Sequence, residues 1–161
     1  MRASEHSPMT PARSDIDTRL MNLGIVLQEH KAPVAQYLGT KKSGNLLFVS
    51  GRVSELRGEV GSDLTEEQGK TAARDTIVLL LAIVRHDIKD LNRISGIIKL
   101  QGFIRSAPDF VRQPQVLDGA SELLIEVFGQ KGAHARTATG VAQLPFGAAV
   151  QLDMILELGA V

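Results

Sequence analysis

A chain of 161 residues with 18 basic and 18 acidic side chains has zero formal net charge, and so no electrostatic footprint for nucleic acid or an anionic membrane. It has no cysteine, which excludes disulfides, a thiol nucleophile and a thiolate metal site, and which permits a cytoplasmic location. Its length allows one domain with a real core, and with 4% aromatic residues and no tryptophan that core must be built from Leu, Ile, Val and Ala.

Residues 1–14 mix serine, proline and charge without an apolar stretch, and read as a flexible extension ahead of a single domain over 15–161. The longest apolar run, Ile77 to Val84, is too short to span a bilayer. Ile16, Leu20, Leu23 and Leu27 fall at helical spacing, so a first helix is expected over Asp15–Glu29, ended by Pro33. A strand from Val34 to Lys41, a turn at Lys42–Asn45 and a strand from Leu46 to Ser50 follow. Gly51 then offers a backbone N–H open to close approach by an anion or a carbonyl oxygen.

Residues 52–64 are polar and glycine-bearing, and read as a surface loop. Thr65-Glu66-Glu67-Gln68 fits a capping box, opening a helix to about His86 whose second half is apolar all round and therefore buried. Gly69-Lys70-Thr71 imitates the end of a phosphate-binding loop. Leu64 stands where that motif needs its first glycine, and no strand leads in, so the match is rejected. Arg93–Arg105 reads as a long strand with Ile94, Ile98, Leu100 and Ile104 on one face. Ile97 and Phe103 join Arg93, Ser95, Lys99 and Gln101 on the other, with Gly96 and Gly102 as candidate bulges. Pro108 starts a second helical region in which Val116, Leu117, Ala120, Leu123, Leu124 and Val127 trace one face up to Gly129.

The last stretch, His134 to Leu158, reads as two strands joined by a Leu-Pro-Phe-Gly turn. Arg136 shares a face with Ala138, Gly140 and Ala142, and a planar guanidinium opposite small side chains suits a carboxylate held by two parallel hydrogen bonds. An arginine paired with an acid, or reaching water at a strand start, is the plainer reading. In such a hairpin Arg136 pairs near Leu156, and Gln151 lies about five residues away, roughly 16 Å at ~3.3 Å per residue. One small ligand cannot touch both within one chain. His6, His30, His86 and His134 are scattered and give no metal-ligand spacing, so neither metal nor cofactor is expected.

Arg-x-x-x-x-Val-x-x-Leu-Pro, present as Arg136, Val141, Leu144 and Pro145, resembles the C-terminal hallmark of the reactive-intermediate deaminase (Rid, YjgF-like) family. Ser50-Gly51-Arg52 after an apolar strand fits the same family, as do Gly119 to Gly129 and His134 to Arg136. The resemblance spans roughly residues 20–158. It implies an α+β, chorismate mutase-like fold: a split β-α-β sheet with two helices on one face, assembled as a homotrimer. Association has weaker support of its own, since Ile97, Phe103 and Ile155 are expected on the face the helices leave uncovered.

The resemblance also assigns site residues. Arg136 matches the arginine that grips the substrate carboxylate, and Ser50 and Gly51 match the serine and glycine bordering the same cleft. The family tyrosine falls on Val34, a common cysteine on Ala138, and the cleft asparagine on Asp118 or Ser121, with His134 nearby. The catalytic glutamate falls on Gln151, and an amide can hold water but cannot take its proton. The expected function is binding of a small carboxylate metabolite, a 2-keto or 2-imino acid, in inter-subunit clefts. Activity as a hydrolase of the 2-iminobutanoate/2-iminopropanoate (enamine/imine) deaminase type is weakened by Gln151. A non-catalytic ligand-sensing or partner-binding module is the alternative. Neutral charge, few aromatics and no paired histidines argue against an endoribonuclease.

Overall fold

In the computed structural model, residues 15–30 and 35–160 are described. Three helices, α1 (Asp15–Asn22), α2 (Glu66–Ile88) and α3 (Gln113–Phe128), accompany five strands. The strands are β1 (Thr40–Ser43), β2 (Leu46–Val53), β3 (Ile94–Arg105), β4 (Ala135–Val141) and β5 (Val150–Leu158). They form one sheet in the order β1-β2-β5-β3-β4. β4 runs parallel to β3 and all other pairs are antiparallel. Inserting β5 between β2 and β3 splits the β-α-β unit, and α3 provides the crossover that a parallel β3–β4 pair requires. The result is a mixed α+β, chorismate mutase-like fold.

The last two strands depart from the expected hairpin. β4 and β5 lie on opposite sides of β3, so Arg136 pairs with Leu100, and Leu156 pairs with Leu47 and Ile97. The connection must therefore cross β3, which a tight turn cannot do. Phe146, at φ +61°, and Gly147, at φ +71°, bend it through a short 3-10 turn over Pro145–Gly147.

The core lies between the sheet and the helices, and strand alternation selects which residues enter it. Val150, Leu152, Met154, Leu156 and Leu158 of β5 are all buried, while Gln151, Asp153, Ile155 and Glu157 face the other way. On β3 the alternation breaks. Register shifts between Ile94 and Gly96 and between Ile97 and Lys99 bring Ile97 into the core and leave Ile98 40% exposed, the reverse of the expected assignment. A bulge adds one residue to one strand and flips the phase beyond it. Gly102 marks no shift. A Cβ there would press into Leu117, so its smallness serves helix–sheet packing. All six residues expected on the buried face of α3 are fully buried, although the helix begins at Gln113 and not near Pro108.

Thr65 caps α2 as the sequence implies, accepting from the Gln68 N–H while Gln68 Oε1 accepts from the Thr65 N–H. Gly69, in the rejected phosphate-loop look-alike, sits inside this helix against Val60 and Val116. Other boundaries shift. α1 stops at Asn22, since Gly24 at φ +71° ends it, and Leu27 reaches the core from irregular chain. β1 starts only at Thr40, and the turn before β2 narrows to Gly44-Asn45. The 54–64 segment is less superficial than its polarity suggests. Val60 is fully buried, and Ser54 Oγ accepts from the Ala149 and Val150 N–H groups while donating to Leu56 O. No helix among the described residues is long and apolar enough to cross a membrane.

Candidate functional site

Residues Pro114, Asp118 and Ser121 fall at i, i+4 and i+7 of α3 and therefore share a face, which here looks onto β4. Two glycines set that placement. A Cβ at Gly119 would overlap the Lys70 carbonyl oxygen, so only glycine lets α3 lie this close to α2. A Cβ at Gly132 would likewise overlap the Leu124 carbonyl oxygen in the tight turn leading to His134.

Arg136 reaches this face from the edge strand. Its Nη1 donates to Asp118 Oδ1 at 2.7 Å and to Ser121 Oγ at 3.2 Å, and Nη2 donates to Pro114 O at 3.4 Å. The acid partner that the plainer reading of Arg136 requires is thus present. Nor is the row of small residues beside it empty space: Ala138 packs against the core, and a Cβ at Gly140 would meet Gln113 and Ser106.

The network continues to His134. Gly132 O can only accept, so His134 Nδ1, 2.6 Å away, carries the proton. Ser121 Oγ, which accepts from Arg136 Nη1, lies 2.8 Å from His134 Nε2. With side chains 25% and 43% exposed, the Arg136–Asp118 pair is partly solvated, and its role is to orient the guanidinium more than to stabilise the fold.

Gly51 and Gln151 form a second, separate cluster. Gly51 is exposed, and a Cβ on it would lie 3.4 Å from Gln151 Nε2. Ser50 adjoins them, its hydroxyl donating to Leu38 O at 2.6 Å. Gln151 pairs with Val53 and Phe103 on the sheet face away from the helices, whereas Arg136, in register with buried Leu100, faces α3. Arg136 and Gln151 therefore lie on opposite faces of the sheet as well as two strands apart. Their separation within one chain is as expected, but its cause is sheet order and not hairpin length. Of the other site positions, Asp118, Ser121, His134 and Ala138 gather around Arg136, and Val34 lies outside the described residues.

The histidines are not all scattered. His30 and His86 have ring centroids 4.9 Å apart, and His86 Nδ1 lies 2.9 Å from Asp87 Oδ1. Fifty-six positions of sequence separation hide this pair from any spacing rule. Among the described residues, no group of three or more His, Cys, Asp or Glu side chains is placed to hold a metal.

A split β-α-β sheet backed by two long helices, with an arginine, acid, serine and histidine network at its parallel edge, defines the class. The sequence matches the family described as "YjgF/chorismate mutase-like, putative endoribonuclease" over residues 17–158. The protein TCP17 of Trypanosoma cruzi is 39% identical over 154 residues, covering 91% of this chain and 96% of that one. A crystal structure from Agrobacterium tumefaciens is 40% identical with a TM-score of 0.81, over 90% of this chain and 94% of that one. RidA from an Antarctic Psychrobacter is 26% identical with a TM-score of 0.51, over 82% and 98%. The chain belongs to the YjgF/Rid family.

Proposed function

We propose that this chain assembles as a homotrimer whose inter-subunit clefts bind a small carboxylate-bearing metabolite, a 2-keto or 2-imino acid. In this reading Arg136 of one subunit grips the carboxylate, and Gly51 and Gln151 of the neighbour close the cleft. The observation that carries it is the division of the site residues between opposite sheet faces, two half-sites that one chain cannot bring together. The guanidinium state fits as well. Of its five N–H groups, two on Nη1 and one on Nη2 are engaged within the chain. The remaining two lie on Nε and Nη2, the edge that takes a carboxylate side-on.

Deaminase chemistry in that cleft is slow. Water attacking an imine carbon must lose a proton, and the Gln151 amide can orient water without accepting it. His134, the nearest imidazole, has its Nε2 already engaged by Ser121 Oγ at 2.8 Å. Both facts favour a second reading, in which the cleft senses its ligand and regulates an interaction.

Titrating 2-oxobutanoate into the protein and into Arg136→Ala by calorimetry tests the binding claim. Loss of a charge-assisted pair predicts about a ten- to hundredfold weaker Kd with the fold retained, and Arg136→Lys rescues poorly because it lacks the fork. Unchanged affinity in the Ala variant, or a variant that melts far below the parent while still binding, would show that Arg136 is structural.

A further inference from the structure

Beside the site above, the molecule holds a cavity of about 740 Å³ between β2, α2 and the irregular segment that follows α1. Leu79, Ala82 and Ile83 make its apolar wall, and Arg52 and His30 stand in the same lining. Arg52 pairs in register with buried Leu152, so it faces the helix layer and not the open face where Gly51 meets Gln151. Two of its guanidinium nitrogens, Nε and Nη2, are shut off from water and have no hydrogen-bond partner. A buried cationic donor left unanswered is costly, and native structures rarely retain one without a use.

The charges nearby do not answer it. Asp87 is engaged by Thr40 and His86. Glu29 and Glu55 also line the cavity, but both are exposed, where water screens them. His30 is held below its ordinary pKa, first by burial and then by the neighbouring His86 and Arg52 charges, with Asp87 opposing. It is therefore a neutral ring able to offer an N–H without bringing a second buried charge.

We propose that this cavity is a binding site, separate from the Arg136 cleft, for a small ligand carrying an oxyanion on an apolar body, with Arg52 as counter-charge and His30 as second donor. Its apolar wall suits the body of such a ligand. Carboxylate and phosphate share the required chemistry, and only a direct comparison separates them.

The test is a nitrogen-edited NMR titration of the full chain with inorganic phosphate, phenyl phosphate and benzoate, following the Arg52 Nε–H signal. The expected result is a saturable shift of that signal, tightest for the probe with the matching headgroup and stronger with a phenyl body than without. Arg52→Gln should weaken it about ten- to a hundredfold, and Arg136→Ala should leave it unchanged. If Arg52→Gln does not fold, Arg52→Lys must keep weakened binding, and the wild-type titration still decides. An Arg52 signal that none of the probes moves overturns the proposal, since the chain itself then satisfies the guanidinium. So does binding that disappears only with Arg136→Ala.

Discussion

The α3–β4 edge and the open face of the sheet are built on opposite terms. At the edge the polar side chains answer one another: Arg136 has Asp118, Ser121 and Pro114 O, Ser121 has His134, and His134 has Gly132 O. On the open face, Phe48 is 43% exposed beside its cross-strand partner Ile155, and half-buried Asp153 and Gln151 share that surface. The first region is held in place within one chain, with Arg136 Nε and one Nη2 proton left over, while the second has the composition of a surface still to be covered. A sheet with apolar residues on both faces buries only one of them with two helices. The comparison thus separates what the fold needs from what assembly supplies.

The largest effect expected from breaking it lies on the open face. Phe48→Glu places a charge where the proposed trimer packs, at about 3–5 kcal/mol for each buried unpaired carboxylate, compounded over three subunits. The prediction is a monomeric mass by light scattering, with native circular dichroism, because Phe48 contributes little to the core of its own chain. A wild-type protein that is already monomeric at micromolar concentration would end the trimer reading, and with it the shared cleft.

Next in size is the rate of deamination. General-base assistance typically supplies ~10²–10⁴-fold, so Gln151→Glu should raise turnover of an iminopropionate substrate toward that range while keto-acid affinity stays within a few fold. Brisk turnover by the unaltered protein would assign the base elsewhere, with Asp118 or His134 the nearest groups to Arg136. A Glu variant that binds ligand but gains nothing would put the sensing role first.

Some of this contrast was legible in the sequence, and the reasons for the rest are physical. Helical periodicity and the Thr65–Gln68 capping box are local, and they located α2 and the buried face of α3 correctly. Strand order is not local. Nothing within His134–Leu158 announces that its two strands are separated by β3, because a hairpin and a crossover can share the same alternation. Gly96 did mark the first irregularity of β3, but not its consequence: the shifts there and after Ile97 reverse Ile97 and Ile98 without changing composition. The same limit applies to the site. Pro114, Asp118 and Ser121 stand at i, i+4, i+7, a signal that could have named all three as neighbours of one strand. The His30–His86 contact and the orphaned Arg52 nitrogens are properties of tertiary packing alone.

The smallest expected effect sharpens the comparison through pH. Asp153, on the open face, is held above the ordinary carboxylate pKa by burial, with Lys99 pulling weakly the other way. An acid whose folded pKa is raised costs stability wherever it is ionised in both states, which includes neutral pH. As pH falls through the folded value toward the unfolded one, the native state takes up the proton first and that cost disappears. Asp153→Asn, which carries no charge at any pH, should therefore melt slightly higher than the parent at pH 7. Its advantage should fade as acid is added and vanish below the ordinary carboxylate range. If Lys99 were the dominant neighbour the sign would reverse, and the Asn variant would be the less stable at neutral pH. Repeating both melts across protein concentration adds the decisive comparison: a difference that grows as the protein is concentrated means that association buries Asp153 further, as a covered open face requires.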